Sequence, residues 1–314
     1  MHNANATNQK TGAEVAIKKI TKSQLQSYDH DALKDEVGLL KTCKHRSIIS
    51  YKGFYDEKEF YYLVTEVVAG GELFDRICEK TTYTEAEARQ LVITLLKTLQ
   101  YLHQKKIAHR DLKPENLLLR SKTDDTDVVL ADFGFAQVTK GKSLQQVCGT
   151  PDYVAPEVIN HEKYDFTCDI WSAGVIVFIL LGGYPPFQAK DEDDRDALFE
   201  IIKKGKFKFH DKFWKSISPE AKDMIKNMLT VDVYQRMTAD QLLKHKWLQL
   251  DAKTLNNEID TTALKEFNAK RKLRAVGKAV ISVNRMKKAV GAFGAMGSGP
   301  GSKAGTPKMA AASN

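Results

Sequence analysis

His109-Arg110-Asp111-Leu112-Lys113-Pro114-Glu115-Asn116 places a histidine, two basic residues, two carboxylates and an amide in eight positions and runs directly into Leu117–Leu119. Upstream of it, residues 72–104 carry helical patterns. Downstream, 117–119 and 128–130 read as short strands, and residues 153–250 return to helical patterns. The octet therefore belongs to a loop in a mainly helical half. Nearer the N-terminus, Val15–Ile20 reads as a strand after a Lys10-Thr11-Gly12 turn. Residues 31–43 follow as a helix with Leu33, Val37 and Leu40 at helical spacing. Residues 48–54 and 60–68 form a hairpin around Asp56-Glu57-Lys58, and Gly70-Gly71 marks the change of character. The expected fold class is α+β: a small β-rich lobe, a hinge near 66–71, and a larger helical lobe.

Composition is that of a globular chain, with 42% hydrophobic and 28% charged residues among 314. The four cysteines are scattered without a CxxC pair, which argues against a zinc site or a disulfide framework and for a reducing compartment. The polar start MHNANATNQK lacks the pattern of a secretory signal. The longest apolar run, 170–181, is shorter than the ~20 residues a membrane-spanning helix needs, so a buried helix is expected and no membrane span. A cytoplasmic location, with nuclear entry open, and a monomer are the corresponding expectations. The net charge of +8 lies in one place: residues 267–314 hold ten Lys or Arg and no acidic residue, leaving 8 − 10 = −2 for residues 1–266. A basic groove for nucleic acid is not expected on such a body.

Four more groups accompany the octet in order: Val15-Ala16-Ile17-Lys18, Glu36, Asp132-Phe133-Gly134 and Ala155-Pro156-Glu157. The set resembles the signature of the protein kinase superfamily, and the resemblance covers nearly all of residues 10–250. It implies a two-lobed kinase fold, ATP and Mg²⁺ as cofactors, and transfer of a phosphoryl group to serine or threonine. Lys18 would hold the α and β phosphates and Glu36 would orient it by an ion pair, although a lone lysine would read as a surface residue. Asp111 would accept the proton of the attacking hydroxyl, and Lys113 would offset charge on the transferred group. Asn116 and Asp132 would bind Mg²⁺ through hard oxygen donors. The adenine pocket would involve Ala16, Thr65 at its back, and the hinge backbone of Glu66 and Val68. Glu157 is expected to pair with Arg236, and Asp169 to tether the catalytic loop. His109, Phe133 and Leu40 match a packed apolar spine, which makes His109 a packing residue rather than a base.

The sequence departs from the family in two places. No GxGxxG run lies among the seventeen residues before Lys18, where the family has its phosphate loop and first strand. The expectation is an incomplete N-lobe, read either as an incomplete product, which retention of every other catalytic group favours, or as a kinase with impaired nucleotide binding. A pseudokinase or inactive binding module is the alternative function. In the activation segment Gln146 stands where related calmodulin-dependent kinases often carry a threonine, with Ser143 as a possible substitute phosphosite against the blander reading of a solvated serine. Thr150 is expected near Asp111 and Lys113.

Gly70-Gly71-Glu72-Leu73-Phe74-Asp75 resembles the post-hinge helix of basophilic kinases. Glu72 and Glu115 would give the substrate groove an acidic end and favour arginine three residues before the acceptor, with plain surface carboxylates as the alternative. Residues 264–290 alternate basic and apolar residues at helical spacing, with Leu273, Val280 and Met286 at relative positions 1, 8 and 14. This is a calmodulin-target pattern, weighed against a membrane-surface helix and a nuclear-localisation cluster. Its position resembles the regulatory segment of calcium/calmodulin-dependent protein kinases close to type I, which implies autoinhibition released by calcium-loaded calmodulin. The expected domains are a kinase domain over 1–250 (an incomplete N-lobe over 1–68 and a C-lobe over 69–250), an autoinhibitory and calmodulin-binding segment over 251–290, and a flexible tail over 291–314.

Overall fold

The computed structural model describes residues 2–139 and 144–276. Strands β1 (His2–Thr7), β2 (Glu14–Thr21), β3 (Tyr51–Asp56) and β4 (Phe60–Glu66) form an antiparallel sheet in the order β1-β2-β4-β3, with helix α1 (Ser27–Thr42) between β2 and β3 in sequence. Strand β1 is absent from the sequence-based expectation. Asn and Ala are weak strand formers, so its pattern carries no signal, and the pairing of His2–Thr7 with Lys19–Glu14 decides its state. The turn between the two strands is closed by Asn8, whose Oδ1 accepts from Lys10 N at 2.9 Å and whose carbonyl accepts from Gly12 N at 2.8 Å. The hairpin falls at 51–56 and 60–66, displaced at its first strand from the expected 48–54.

Beyond the hinge come α2 (Leu73–Glu79), α3 (Glu85–Gln104), β5 (Ile107–Ala108), β6 (Leu117–Leu119), β7 (Val128–Leu130) and β8 (Gln137–Val138), then α4 (Pro156–Ile159) and α5 (Cys168–Gly182). Helices α6 (Arg195–Lys204), α7 (Asp211–Trp214), α8 (Pro219–Met228), α9 (Ala239–Leu242) and α10 (Lys246–Gln249) complete this lobe. Thr84 opens α3 with a capping box: its hydroxyl accepts from Glu87 N while the Glu87 carboxylate accepts from Thr84 N. Helix α5 is apolar all round, as a helix enclosed on every side must be, and all fifteen of its residues are buried. None of the helices among the described residues is long and apolar enough to cross a membrane.

The chain divides into two compact units, residues 1–268 and 269–314. In the first, the chain beyond α10 stays on the lobe. Leu255, Ile259 and Leu264 are buried, Ile259 N donates to Tyr83 O at 2.7 Å, and Asn257 Nδ2 donates to Ser216 O at 2.8 Å. A helix covers 262–276, and Leu273 and Val276 on it are exposed. Of the expected calmodulin anchors, Val280 and Met286 lie outside the described residues, as does Ser143.

Candidate active site

The octet at 109–116 is a loop between β5 and β6, and its backbone is held from below by α5. The Asp169 carboxylate, fully buried at the start of α5, accepts from the main-chain N–H of His109 and of Arg110, both at 2.9 Å. His103 Nε2 lies 3.2 Å from the same carboxylate. Burial alone would raise the Asp169 pKa, but the hydrogen bond and charge of His103, with His109 adding to them, hold it below the usual aspartate range. The carboxylate is therefore kept ionised, which is the form that accepts two N–H bonds. Its grip secures Arg110 at φ 69°, a left-handed conformation uncommon for a residue with a side chain.

His109 is buried and its ring meets Phe133 edge-on, with centroids 5.1 Å apart. Burial lowers its pKa, against the pull of nearby carboxylates, so the ring is neutral. Nε2 is 3.3 Å from the Ala131 carbonyl, which can only accept, so Nε2 carries the proton and donates. Nδ1 is left to accept from Asp111 N at 3.4 Å. Both ring nitrogens are occupied by main chain, and neither is available as a base.

Asp111, Lys113 and Thr150 form a closed triangle. Thr150 Oγ1 donates to Asp111 Oδ1 at 2.7 Å, Lys113 Nζ donates to Asp111 Oδ2 at 2.6 Å, and Lys113 Nζ also donates to Thr150 Oγ1 at 3.2 Å. Asn116 Nδ2 donates to Asp111 O at 2.8 Å, which commits the amide nitrogen and leaves the amide oxygen as its remaining donor group for a cation. The approach that delivers Thr150 depends on its neighbour. Gly149 has φ 102°, and a β-carbon there would lie 2.6 Å from the Arg110 carbonyl oxygen, so only glycine lets the two backbones meet.

From the other lobe, Lys18 on β2 reaches Glu36 on α1 with Nζ 3.8 Å from Oε1. Burial pushes the Glu36 carboxyl above its ordinary value; the Lys18 charge opposes this and the Asp132 charge adds to it. Asp132 is exposed with φ 58°, and Gly134 N donates to its Oδ1 at 3.4 Å. A β-carbon on Gly134 would sit 3.8 Å from Glu36 Oε2, so the Asp132–Gly134 turn lies alongside the Lys18–Glu36 pair. Ala16 is paired with Thr65 across β2 and β4, and Thr65 Oγ1 donates to Glu66 O at 3.2 Å. The Glu66 carboxylate accepts from Ser50 N at 2.8 Å and pairs with Arg120, and Val68 is half-buried in the chain leaving β4. Among the described residues no cluster of three or more His, Cys, Asp and Glu could hold a metal alone. A hard divalent cation bound by Asn116 and Asp132 would complete its shell with phosphate and water oxygens, as Mg²⁺ does, and the donor set fits that group.

Glu72 precedes α2 and forms an isolated bridge with Leu118, so the start of that helix meets the strand that follows Glu115. Glu72 and Glu115 are both half-buried. Glu157 and Arg236, far apart in sequence, form a buried two-pronged pair at 2.7 and 2.9 Å. Sequence reasoning did not find the His103 support of Asp169, nor Tyr164, whose hydroxyl meets Arg110 Nη1 at 3.2 Å. A histidine on a long helix and a tyrosine in a loop have no local pattern that marks such contacts.

A sheet lobe carrying the Lys18–Glu36 pair, a hinge, and a helical lobe carrying the loop of Asp111, Lys113 and Asn116 define a two-lobed architecture. The protein kinase domain family matches residues 3–248, and the chain belongs to that family; it is a serine/threonine kinase. It is 46% identical over 266 residues to myosin light chain kinase A of Dictyostelium discoideum, covering 84% of this chain and 88% of that one. It is 41% identical over 275 residues to calcium/calmodulin-dependent protein kinase type 1 of Macrobrachium nipponense, covering 87% and 79%. Similarity to calcium/calmodulin-dependent protein kinase type II of Caenorhabditis elegans is 40% over 280 residues, spanning 38% of that relative's length.

Proposed function

We propose that this chain transfers the γ-phosphate of ATP to serine or threonine in basic protein segments and that calcium-loaded calmodulin controls it. The observation that carries the catalytic part is the Asp111 triangle. Its carboxylate is fixed by Lys113 and Thr150 at 2.6 and 2.7 Å, and the loop that bears it is held at the His109 and Arg110 N–H groups by Asp169 and at the Asp111 carbonyl by Asn116. An acceptor hydroxyl entering there loses its proton to Asp111 as its oxygen bonds the γ-phosphorus and the bond from that phosphorus to the β-phosphate oxygen breaks, releasing ADP, while Lys113 stands beside the charge that develops on the transferred group. Lys18, oriented by Glu36, holds the α and β phosphates. Glu66 and Val68 offer main-chain groups to adenine, with Ala16 and Thr65 lining the pocket. Asn116 and Asp132 would hold Mg²⁺, which supplies charge neutralisation between the phosphates when bound. Glu72 and Glu115 select arginine upstream of the acceptor.

Regulation follows from the helix over 262–276. Its first turns are fastened to the kinase body: Leu264 is buried and Asn268 Nδ2 donates to Asp75 Oδ1 on α2 at 2.7 Å. Two relatives carry calmodulin dependence in their names, and residues 264–290 combine basic residues with the apolar anchors Leu273, Val280 and Met286. Calmodulin binding would remove this segment from the kinase. A shift from about 1% to 99% open requires a preference of roughly 10⁴-fold for the released helix. The test is transfer of labelled phosphate from Mg-ATP to an arginine-containing peptide, with calmodulin in calcium or in chelator. Equal rates in the two conditions would refute the regulation; no transfer, together with no thermal stabilisation by Mg-ATP, would refute the catalytic reading.

A further inference from the structure

Tyr164 lies beyond Ala155-Pro156-Glu157, outside the segment that runs from Asp132 to that triplet, yet it fastens that segment at three successive alternate residues. Its main chain forms an isolated antiparallel bridge with Leu144: Leu144 N donates to Tyr164 O at 2.7 Å and Tyr164 N donates to Leu144 O at 3.1 Å. Its hydroxyl donates to the Gln146 carbonyl at 2.6 Å, and Cys148 Sγ is 3.9 Å from the Tyr164 hydroxyl oxygen. That oxygen also accepts from Arg110 Nη1 at 3.2 Å, and Arg110 Nε donates to Phe135 O at 2.6 Å. Burial pushes the phenol pKa well up, so the group stays a neutral O–H at any working pH. Its one proton goes to Gln146 and its lone pairs face Arg110. The guanidinium beside the catalytic aspartate is thereby joined to the segment through an uncharged group.

We propose that Tyr164 is a positioning residue for phosphoryl transfer, a clasp that holds residues 144–150 against the catalytic loop without any phosphate on the segment. The contact with Gln146 goes to its main-chain carbonyl, so it is indifferent to the side chain at that position. Four residues further on, Thr150 reaches Asp111 across the close approach at Gly149, and a segment released at 146 loses a restraint upstream of that contact. The clasp acts on the kinase body alone and is independent of calmodulin.

The experiment compares parent, Tyr164→Phe and Gln146→Ala chains, each treated with phosphatase and confirmed free of phosphate by mass. Amide exchange is followed over residues 144–150 and over α5. Losing two hydrogen bonds, one of them to a charged group, should speed exchange in 144–150 of Tyr164→Phe by roughly ten- to thirty-fold while α5 keeps its protection. Gln146→Ala should match the parent. In steady-state kinetics Tyr164→Phe should lower kcat and raise the peptide KM while the ATP KM stays put, because Lys18 and Glu36 are on the other lobe. Exchange requires no turnover, so it reads the clasp even where the phosphotransfer reading fails. Should Tyr164→Phe unfold, the dephosphorylated parent decides by itself: retained protection in 144–150 supports the clasp, and lost protection overturns it. Exchange in Tyr164→Phe equal to the parent overturns it as well.

Discussion

Glu157→Gln offers the sharpest test of how the large lobe is held together. Glu157 and Arg236 are 2% and 3% exposed, and their two N–H···O bonds are 2.7 and 2.9 Å long. Arg236 spends its three remaining donors on the carbonyls of Thr230 at 2.9 Å, Thr167 at 3.1 Å and Val231 at 3.4 Å, and its guanidinium lies over the Trp171 ring at 5.2 Å. The amide keeps the shape of the carboxylate and removes its charge, which strands a guanidinium where water cannot reach it. Breaking one side of such a pair costs about 3–5 kcal/mol, against about 5–15 kcal/mol of net stability for a domain. At roughly 2–4 °C per kcal/mol for a domain of this size, Tm should fall by roughly 6–20 °C. Arg236→Met alone should cost a similar amount by stranding the carboxylate. The double variant should cost clearly less than the two single costs added, because most of each is the penalty of an unpaired buried charge. Calorimetry and urea titration at pH 7 in low and high salt measure all three, and salt should change the losses little because the pair is buried. Single costs below about 1 kcal/mol, or costs that simply add in the double variant, would refute the reasoning.

Asp111→Asn should abolish phosphoryl transfer while Tm stays within a few degrees of the parent, since the amide oxygen still accepts from Thr150 and what is lost is the proton acceptor and its part-exposed ion pair with Lys113; activity above a tenth of the parent would sink that role. Burial raises the Glu36 pKa above its ordinary 4.5, so between 4.5 and the raised value the folded chain holds a proton that the unfolded chain has released. Stability from this group is present below 4.5 and falls as pH rises through that window, and Glu36→Gln should flatten the slope there. An unchanged slope counts against it. A peptide of residues 268–290 should bind calmodulin in calcium but not in chelator, and replacing Leu273 and Met286 with Asp should weaken it by several kcal/mol, each loss being about 1.5–3 kcal/mol of burial. Calorimetric titration showing equal affinity for the two peptides would remove both anchors from the argument. Glu72→Ala should reduce the preference for arginine upstream of the acceptor in a peptide library, and an unaltered preference would return Glu72 to the surface carboxylates.

What could be read in the sequence follows the chemistry. Lys18, Glu36, Asp111, Asn116 and Asp132 stand out in the sequence because the residue types that phosphoryl transfer calls for occur there in order, and the fold brings Lys18 to Glu36 and Asn116 to the Asp111 main chain; the lobes were legible from the switch between strand and helix periodicity at Gly70-Gly71. Strand β1 was not, because Asn and Ala give no strand signal and only the ladder with β2 makes it one. Glu85 shows a second limit. As the first residue of α3 it reads as an acidic residue complementing a helix N-terminus, yet it is fully buried. Its carboxylate accepts from Trp247 Nε1 at 2.7 Å and from Ser218 N at 3.0 Å, partners 162 and 133 residues away. No window along the chain contains those three residues, so the hub exists only once α8 and α10 have packed on α3.

The same reasoning explains why the catalytic geometry depends on a helix that carries no catalytic group. Helix α5 holds the catalytic loop through Asp169 and the end of the activation segment through Ser172, whose hydroxyl donates to Tyr153 O at 2.7 Å. It also meets Arg236 through the Thr167 carbonyl just before it and through the Trp171 ring. All three attachments leave from one end of a helix whose every residue is buried. A loop with Arg110 in a left-handed conformation would relax if left to itself, by of order 1–3 kcal/mol. Fixing its main chain to a buried carboxylate resists that relaxation. Asp111 owes its position to this anchorage as much as to Lys113 and Thr150, and substitutions in α5 that loosen its packing should therefore lower kcat before they unfold the domain.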